Sequence, residues 1–370
     1  MNPSANNPTA IEGPFMAAAG NDCLSVRGMH TWLHSRQGGT PGDVHLVRGI
    51  DFDIRCGQTL ALVGESGSGK SLTSLSLMRL LARSQTWSHQ GSALFTAADG
   101  RQHDLLSAEE ATLRGLRGNH MAMIFQEPMT CLNPVLSIGD QLSEPLRLHK
   151  GLDAQAARLE ALRALDEVEI PAAAQRLGQY PHQLSGGMRQ RVMIAMAMVC
   201  RPRLLIADEP TTALDVTIQA QILKLITRLR KERGMAVLFI THNLGVVAHH
   251  ADDVAVMYAG QIVEATAVKT LFSSPVHPYT QALLRCLPGQ RRLGRARHEL
   301  ESPGDPAASP ALYAIRGQAP NMAQLGGGCA FAPRCDSAQT DCQTQPPTWH
   351  QLTHRQWRCS MKTDAVTEAA

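Results

Sequence analysis

A glycine-rich octet, GESGSGKS at residues 64–71, constrains the fold of this chain more than any other part of its sequence. The apolar run TLALV precedes the octet and LTSLSLMRLLA follows it, so the octet connects a predicted strand to a predicted helix. In that setting the pattern G-x-x-x-x-G-K-S/T forms a loop whose backbone N–H groups and helix N-terminus surround phosphate groups. The residues predicted to bind nucleotide are Gly64, Glu65, Ser66, Gly67, Ser68, Gly69, Lys70 and Ser71.

Two side chains of this phosphate loop carry most of its chemistry. The Lys70 ammonium can reach the terminal phosphates of a nucleotide, and the Ser71 hydroxyl can bind Mg²⁺. The alternative interpretation is a glycine-rich turn without a ligand. The strand and helix predicted on either side of the octet argue against that alternative.

The run RLLIADEP at residues 203–210 provides the acidic groups that such a loop requires. Its apolar residues predict a buried strand, and Asp208 at the end of that strand can hold Mg²⁺. Glu209 follows directly and can polarise an attacking water molecule. The alternative is a strand that ends in a solvated acidic pair, but a phosphate loop in the same chain favours the catalytic interpretation.

The stretch QLSGGMRQRVMIAMAM at residues 183–198 narrows the class of nucleotide hydrolase. It resembles the signature of ABC-transporter ATPases, LSGGQ followed by a basic helix start, although Met stands in the last position here. A helix N-terminus has unpaired N–H groups that can bind a phosphate, and the resemblance implies that this phosphate belongs to the ATP of a partner subunit. A serine N-cap beside flexible glycines is the alternative. The signature residues are Ser185, Gly186, Gly187 and Met188.

The segment MIFQEPMTCLNP at residues 123–134 resembles the Q-loop of the same family. The resemblance implies that Gln126 lies near the magnesium ion and the attacking water. The implied Mg²⁺ ligands are therefore Ser71, Gln126 and Asp208.

Two shorter motifs follow in the order that the family has. The segment TTALD at residues 211–215 resembles the D-loop, which implies that Asp215 crosses the interface between two ATPase subunits. The segment FITHN places His242 at a predicted strand end, where the resemblance implies contact with the γ-phosphate. Gln126, Glu209 and His242 are thus the side chains expected to act in hydrolysis.

The family also places an aromatic residue upstream of the phosphate loop, where its ring stacks on adenine. In this chain that place falls on Leu33, with Trp32 adjacent to it. We expect Trp32 to stack on the base, and packing in the core is the alternative for this side chain.

The resemblance extends over about residues 23–365 and implies an α/β fold of the P-loop NTPase type. Its expected parts are a RecA-like parallel sheet core, an antiparallel β-subdomain, a helical subdomain at about 105–185 and a cysteine-rich C-terminal extension. Residues 1–21 are expected to be disordered, 22–270 to form the ABC ATPase domain and 271–365 the extension. The 370 residues are 44% hydrophobic and 18% charged, which is typical of a globular chain.

The extension contains Cys329, Cys335, Cys342 and Cys359, whose spacing differs from the C-x₂-C pairs of zinc ribbons. Spacing alone leaves an iron–sulfur cluster, Zn²⁺ and no metal open. The arrangement resembles the C-terminal extension of dipeptide-importer ATPases, which implies a 4Fe–4S cluster. His350 and His354 lie nearby, and we interpret both as loop histidines rather than ligands.

The segments EPMTCLNPVLSIGDQL and HPYTQALL resemble those of oligopeptide and dipeptide importers. This implies an ATP- and Mg²⁺-dependent subunit that powers peptide import at the cytoplasmic face of the bacterial inner membrane. Implied partners are a second, related ATPase subunit, two membrane permease subunits and a solute-binding protein. Import of nickel or glutathione by the same motor is an alternative.

Two alternative hypotheses belong to other functional classes. One is a soluble ABC ATPase that acts on ribosomes or DNA, and the other is a metal-sensing regulator. The chain has one phosphate loop, no long heptad run between Lys70 and Ser185, and no helix-turn-helix pattern. A net charge of +3 and the lack of a basic stripe also argue against nucleic acid as a partner. The apolar run at residues 192–200 is about half as long as a membrane span.

Overall fold

The computed structural model describes residues 22–35, 42–82, 84–126, 131–212, 214–287, 313–352 and 354–360. The tail expected to be disordered, residues 1–21, lies outside these ranges, and so does the basic segment at 291–297. Within the described ranges, no helix has both the length and the apolar composition needed to cross a membrane.

Two sheets organise the chain. The strands in the described ranges are β1 (Asp22–Ser35), β2 (Gly42–Arg55), β3 (Thr59–Val63), β4 (Thr86–Thr96), β5 (Gln102–Asp104), β6 (Met121–Ile124), β7 (Leu204–Asp208), β8 (Ala236–Thr241), β9 (Asp253–Tyr258), β10 (Gln261–Ala267), β11 (Trp349–Leu352) and β12 (Arg355–Arg358). A four-stranded antiparallel sheet has the order β2-β1-β4-β5. An eight-stranded sheet has the order β11-β12-β10-β9-β3-β8-β7-β6.

The middle of the eight-stranded sheet is parallel. Strands β6, β7, β8, β3 and β9 run in one direction, while β10, β12 and β11 pair antiparallel at one edge. Every residue of β3, β7 and β8 is buried. Parallel strands covered on both faces need apolar side chains on both faces, which explains the continuous apolar runs TLALV, LLIAD and AVLFIT. The carboxyl ends of these strands meet at one edge, where the sequence motifs lie.

The helices connect the strands and cover the sheet. They are α1 (Lys70–Leu77), α2 (Glu110–Leu116), α3 (Ile138–Lys150), α4 (Ala154–Glu167), α5 (Ala173–Arg176), α6 (Gly186–Met198), α7 (Val216–Arg233), α8 (Leu244–His250), α9 (Val268–Ser273), α10 (Pro278–Arg285) and α11 (Asp341–Thr344). Side chains of Ser137, Asp153 and Asp215 accept the first free N–H groups of α3, α4 and α7. The range predicted to be a helical subdomain contains α2 to α5, but it also contributes β6 to the large sheet.

The C-terminal region packs directly on the rest of the chain, because its strands β11 and β12 extend the eight-stranded sheet beyond β10. Tyr279 and Phe331 from this region share one hydrophobic cluster with Val63 of β3 and Tyr258 of β9. The Tyr258 and Tyr279 rings lie 4.5 Å apart, and the Tyr258 and Phe331 rings 5.3 Å apart. The domain boundary predicted near residue 270 stays a prediction.

Candidate nucleotide-binding and hydrolysis site

The phosphate loop lies between the end of β3 and the start of α1, as the sequence predicts. Gly69 precedes α1 with φ of 107°, a backbone conformation that side chains disfavour. A Cβ atom on Gly64 would lie 2.2 Å from the Met257 carbonyl oxygen, so β9 leaves room only for glycine there. These two positions explain why the octet needs glycine beyond the demands of a ligand.

The Lys70 side chain is held by its own loop. Its ammonium donates to the carbonyl oxygens of Gly64 at 2.9 Å and of Glu65 at 2.8 Å. Burial lowers the pKa of Lys70, against the opposing pull of the Glu209, Asp208 and Glu65 carboxylates. The cation therefore lies inside the loop, where the phosphates of a nucleotide would compete with carbonyl oxygens for its protons.

Ser71 and Asp208 form the pair expected to hold Mg²⁺. The Ser71 hydroxyl donates to Asp208 Oδ1 at 3.0 Å, and the Ser74 hydroxyl donates to Oδ2 at 3.3 Å. Asp208 ends β7 and is buried, and this burial raises its pKa although both hydrogen bonds oppose the rise. A hydroxyl and a carboxylate side by side are hard oxygen donors of the kind that Mg²⁺ prefers, so the residues fit this ion.

Glu209 is the point at which four sequence motifs meet. Its Oε1 lies 3.0 Å from His242 Nδ1, and its Oε2 accepts from Thr212 at 2.9 Å and from Gln126 at 3.4 Å. An ionised carboxylate can only accept hydrogen bonds, so Nδ1 of His242 carries the proton. The structure thus brings together Gln126, Glu209 and His242, and their roles in hydrolysis stay predictions.

The backbone of Glu209 is unusual, and hydrogen bonds keep its carboxylate ionised. The residue has φ of 45°, in the left-handed region, where a side chain costs energy and where strain often marks a functional site. Burial alone would raise the pKa of Glu209, but the hydrogen bonds from His242 and Thr212 outweigh it and lower the pKa. The carboxylate is therefore kept ionised, which is the state that accepts a proton from water.

The signature segment begins α6. The Ser185 hydroxyl accepts from the Met188 N–H at 3.3 Å, which makes Ser185 the N-cap that the sequence predicts. A Cβ atom on Gly187 would lie 3.3 Å from Ile218 in the first turn of α7, the helix that Asp215 caps. The signature and the D-loop therefore lie side by side, because the N-terminus of α6 packs against the N-terminus of α7. Their contact with a partner subunit stays a prediction.

Trp32 lies among histidines on the antiparallel sheet. Its ring stacks on His45 at 4.4 Å and on His30 at 5.2 Å between ring centroids. The phosphate loop approaches Leu46, the residue after His45 on β2, since a Cβ atom on Gly69 would lie 3.1 Å from the Leu46 carbonyl oxygen. Trp32 pairs with His45 across β1 and β2 and so lies next to this contact in the sheet, and its stacking on adenine stays a prediction.

The four cysteines of the extension line a single narrow cavity, together with His277, Phe331 and neighbouring residues. Cys329 and Cys342 are also joined through a backbone hydrogen bond of 2.7 Å. Among the residues that the structure describes, no group of three or more His, Cys, Asp or Glu side chains has an arrangement that could hold a metal ion. His350 uses its ring nitrogen on the Cys359 carbonyl oxygen at 2.7 Å.

Sequence reasoning missed several contacts of the site. Thr212 and Ser74 bind the Glu209 and Asp208 carboxylates; Thr212 lies inside the segment TTALD, and Ser74 lies three residues after the octet. Tyr279 belongs to HPYTQALL, a segment for which the sequence suggested no chemistry, yet its hydroxyl oxygen accepts from the Glu65 N–H at 2.9 Å. Arg334 forms an ion pair with Glu65 at 2.7 Å, and no sequence motif around either residue predicts this contact.

The phosphate loop, the acidic strand end and the signature helix together define a nucleotide hydrolase of the P-loop class. Two family models match the sequence. The model described as ABC transporter matches residues 47–212, and the model described as oligopeptide/dipeptide transporter, C-terminal region, matches residues 263–342.

Relatives with assigned names cover most of the chain. A peptide import ATP-binding protein of Brucella melitensis is 51% identical over 337 residues, which are 91% of this chain and 96% of the relative. The oligopeptide transport ATP-binding protein OppD of Haemophilus influenzae is 48% identical over 82% of this chain and 88% of its own. The glutathione import ATP-binding protein GsiA of Pectobacterium atrosepticum is 60% identical over 65% of this chain but only 39% of its own length.

Solved structures share the fold. The ATP-binding cassette MJ0796, a dimer bound to ADP and Pi, has a TM-score of 0.55 at 23% identity and covers 66% of this chain and 98% of its own. The cbiO1 protein of Clostridium perfringens also has a TM-score of 0.55, at 25% identity, over 76% of this chain and 100% of its own. The chain belongs to the family of ABC-transporter ATP-binding proteins that carry the oligopeptide/dipeptide transporter C-terminal region.

Proposed function

We propose that this chain is the subunit that binds and hydrolyses ATP to power import of di- or oligopeptides. The observation that carries the proposal is the Glu209 carboxylate, ionised and bonded to His242, Thr212 and Gln126, beside the Ser71–Asp208 pair. Peptide as the cargo is supported by relatives named for peptide import that align over 91% of the chain.

The geometry supports the following division of labour. The loop N–H groups and Lys70 would bind the phosphates, while Ser71, Asp208 and Gln126 would hold a magnesium ion. When bound, Mg²⁺ neutralises charge on the phosphate oxygens. Glu209 accepts a proton from the attacking water, and the hydrogen bond from His242 orients this carboxylate. The family resemblance, rather than a contact in the structure, assigns Trp32 to the base.

The complete transporter needs further chains. Ser185 and the N–H groups that begin α6 would bind the γ-phosphate held by a second ATPase subunit, so each site is shared between two subunits. The side chains of Phe125, Val135 and Leu136 are exposed around the Q-loop, with Val135 exposed by 75%. Exposed apolar side chains of this kind favour docking of a short helix from each of two membrane subunits. We place the assembly at the cytoplasmic face of the bacterial inner membrane, with a solute-binding protein on the other side.

Uptake of a labelled dipeptide tests the proposal in cells that lack this chain. We expect wild type to restore uptake and Glu209→Gln to fail, because only the first can hydrolyse ATP. Labelled glutathione serves as a parallel cargo because relatives named for glutathione import match part of the chain, and labelled nickel serves as another because the sequence left it as an alternative. Restoration of glutathione or nickel uptake alone would overturn peptide as the cargo and leave the ATPase assignment intact.

We also propose that Cys329, Cys335, Cys342 and Cys359 hold a 4Fe–4S cluster. The support is that all four thiols line one cavity with largely apolar surroundings. They do not form a metal-binding group in the arrangement described above, so the proposal requires their side chains to turn towards one another when the cluster binds. Thiol ligands suit both iron–sulfur clusters and zinc. Because the four residues are widely separated along the chain, the bound group would cross-link and stabilise the extension.

Cys335→Ser is expected to remove the brown colour and the iron from protein that has been purified without oxygen. The matched control is Cys286→Ser, an exposed cysteine outside the cavity, which should leave both unchanged. Zinc in place of iron in colourless wild-type protein would contradict the cluster and favour the zinc alternative. A preparation that contains neither metal would exclude both.

A further inference from the structure

Two side chains of the C-terminal region form hydrogen bonds with Glu65 of the phosphate loop. The Tyr279 hydroxyl oxygen accepts the Glu65 backbone N–H at 2.9 Å. The Arg334 guanidinium donates to both carboxylate oxygens of the same residue, at 2.7 Å and 3.1 Å. Glu65 is therefore fixed at its backbone by one residue of this region and at its side chain by another.

The Arg334 side chain is itself immobilised. It is buried, its Nε donates to the Arg316 carbonyl oxygen at 2.9 Å, and its Nη1 lies 3.3 Å from the Tyr258 hydroxyl. A planar guanidinium that meets a carboxylate with two parallel hydrogen bonds restricts both distance and angle. Removing the Glu65 carboxylate would leave the buried Arg334 guanidinium without its charge partner, whereas Glu65 is partly exposed and would be hydrated if Arg334 were removed.

Tyr279 is equally well placed, and the sequence HPY explains why. The His277 side chain accepts the Tyr279 N–H at 3.0 Å and so caps α10, while Pro278 takes the first helical position. The buried Glu264 carboxylate accepts the N–H groups of Val276 at 3.0 Å and His277 at 2.8 Å. The start of α10 is thus anchored on two sides, and the fully buried Tyr279 ring carries its hydroxyl to the loop.

Glu65 also connects directly to the cation of the site. The carbonyl oxygens of Gly64 and Glu65 are the ones that hold the Lys70 ammonium. Any rotation of the peptide units around Glu65 would therefore move both the loop N–H groups and Lys70. A loop that is already ordered loses less conformational entropy when it binds a nucleotide.

We propose that Arg334 and Tyr279 are positioning residues of the nucleotide site, which act through Glu65 to hold the phosphate loop in its ATP-binding conformation. The inference rests on the proposed phosphate-binding role of this loop. It gives the segment HPYTQALL a task in ATP binding, and it makes the cysteine-rich region a support for the site, since Arg334 directly precedes Cys335 in the chain.

A double-mutant cycle on the full chain in its assembled transporter tests the inference. The variants are Arg334→Gln, Glu65→Gln and the combination of both, with KM for ATP and kcat measured for each. We expect each single variant to raise KM roughly five- to tenfold and to change kcat less than about twofold. The combined variant should be no worse than the poorer single variant, because Arg334 acts only through Glu65.

Three accompanying variants separate positioning from general stability. Arg316→Gln removes a guanidinium of the same region whose partner is the exposed Asp336, so KM should stay at the wild-type value. Arg334→Lys keeps the charge without the fork and should restore only part of the affinity. Tyr279→Phe removes one oxygen atom and should raise KM with little loss of melting temperature. This variant therefore still tests the inference if Arg334→Gln folds poorly.

Additive effects of Arg334→Gln and Glu65→Gln would overturn the inference, and so would variants that melt earlier but keep the wild-type KM. Iron and zinc contents of every variant show whether a change at Arg334 has acted through the adjacent Cys335 instead. If wild type hydrolyses no ATP in the complex, the proposed function fails. If wild type hydrolyses ATP and the variants match it, only the positioning role fails.

Discussion

Glu209→Gln is expected to reduce ATP turnover by the assembled transporter about 10²- to 10⁴-fold while ATP still binds. The amide keeps the size of the side chain and can still meet Thr212 and His242, but it cannot take a proton from water. Because the phosphate loop and the Ser71–Asp208 pair are untouched, the variant should accumulate with ATP bound. Phosphate release and the nucleotide retained after gel filtration measure the two effects.

A matched control for this change is Glu160→Gln, at a partly exposed glutamate on α4 that pairs with Arg163. An exposed ion pair contributes little to stability, so turnover and retention should match wild type. Wild-type turnover in Glu209→Gln would contradict a catalytic role for this carboxylate, and loss of ATP binding would indicate damage to the Mg²⁺ site through neighbouring Asp208.

The elements of this site could be predicted from local sequence because each motif lies next to a recognisable strand end or helix start. The octet begins where an apolar strand ends, and Asp208 and Glu209 follow a strand that is buried on both faces. The family resemblance implied that Gln126, Glu209 and His242 act at one site, and parallel strands explain this physically because they bring their carboxyl ends to the same edge. The observed contacts among Gln126, Glu209 and His242 agree with that geometry.

Contacts between distant segments without such a motif could not be predicted. Arg334 and Glu65 lie 269 residues apart, and the sequence around Arg334 contains no motif from which its partner could be predicted. The pairing of β12 with β10 is of the same kind, because short strands near the end of a chain carry a weak periodic signal. The position of Trp32 also depends on packing against His30 and His45, which its own sequence neighbourhood does not specify.

Lys70→Ala is expected to reduce ATP hydrolysis about 100- to 1000-fold, and ATP binding should weaken as well. The ammonium is the cation that the loop itself buries, so its loss removes charge from the place where the γ- and β-phosphates would lie. The Gly64 and Glu65 carbonyl oxygens would at the same time lose the donor that they share. Titration of the full chain with a fluorescent ATP analogue, together with phosphate release by the complex, measures both effects.

Two further lysine variants make the Lys70 result specific to this position. Lys224→Ala removes an exposed lysine from α7, so binding and hydrolysis should be unchanged. Lys70→Arg keeps a positive charge, but a planar guanidinium cannot replace a compact ammonium between two carbonyl oxygens 2.9 Å and 2.8 Å away. We therefore expect Lys70→Arg to rescue little activity. Strong rescue would mean that charge alone suffices at this site, and full activity in Lys70→Ala would refute the phosphate loop as the ATP site.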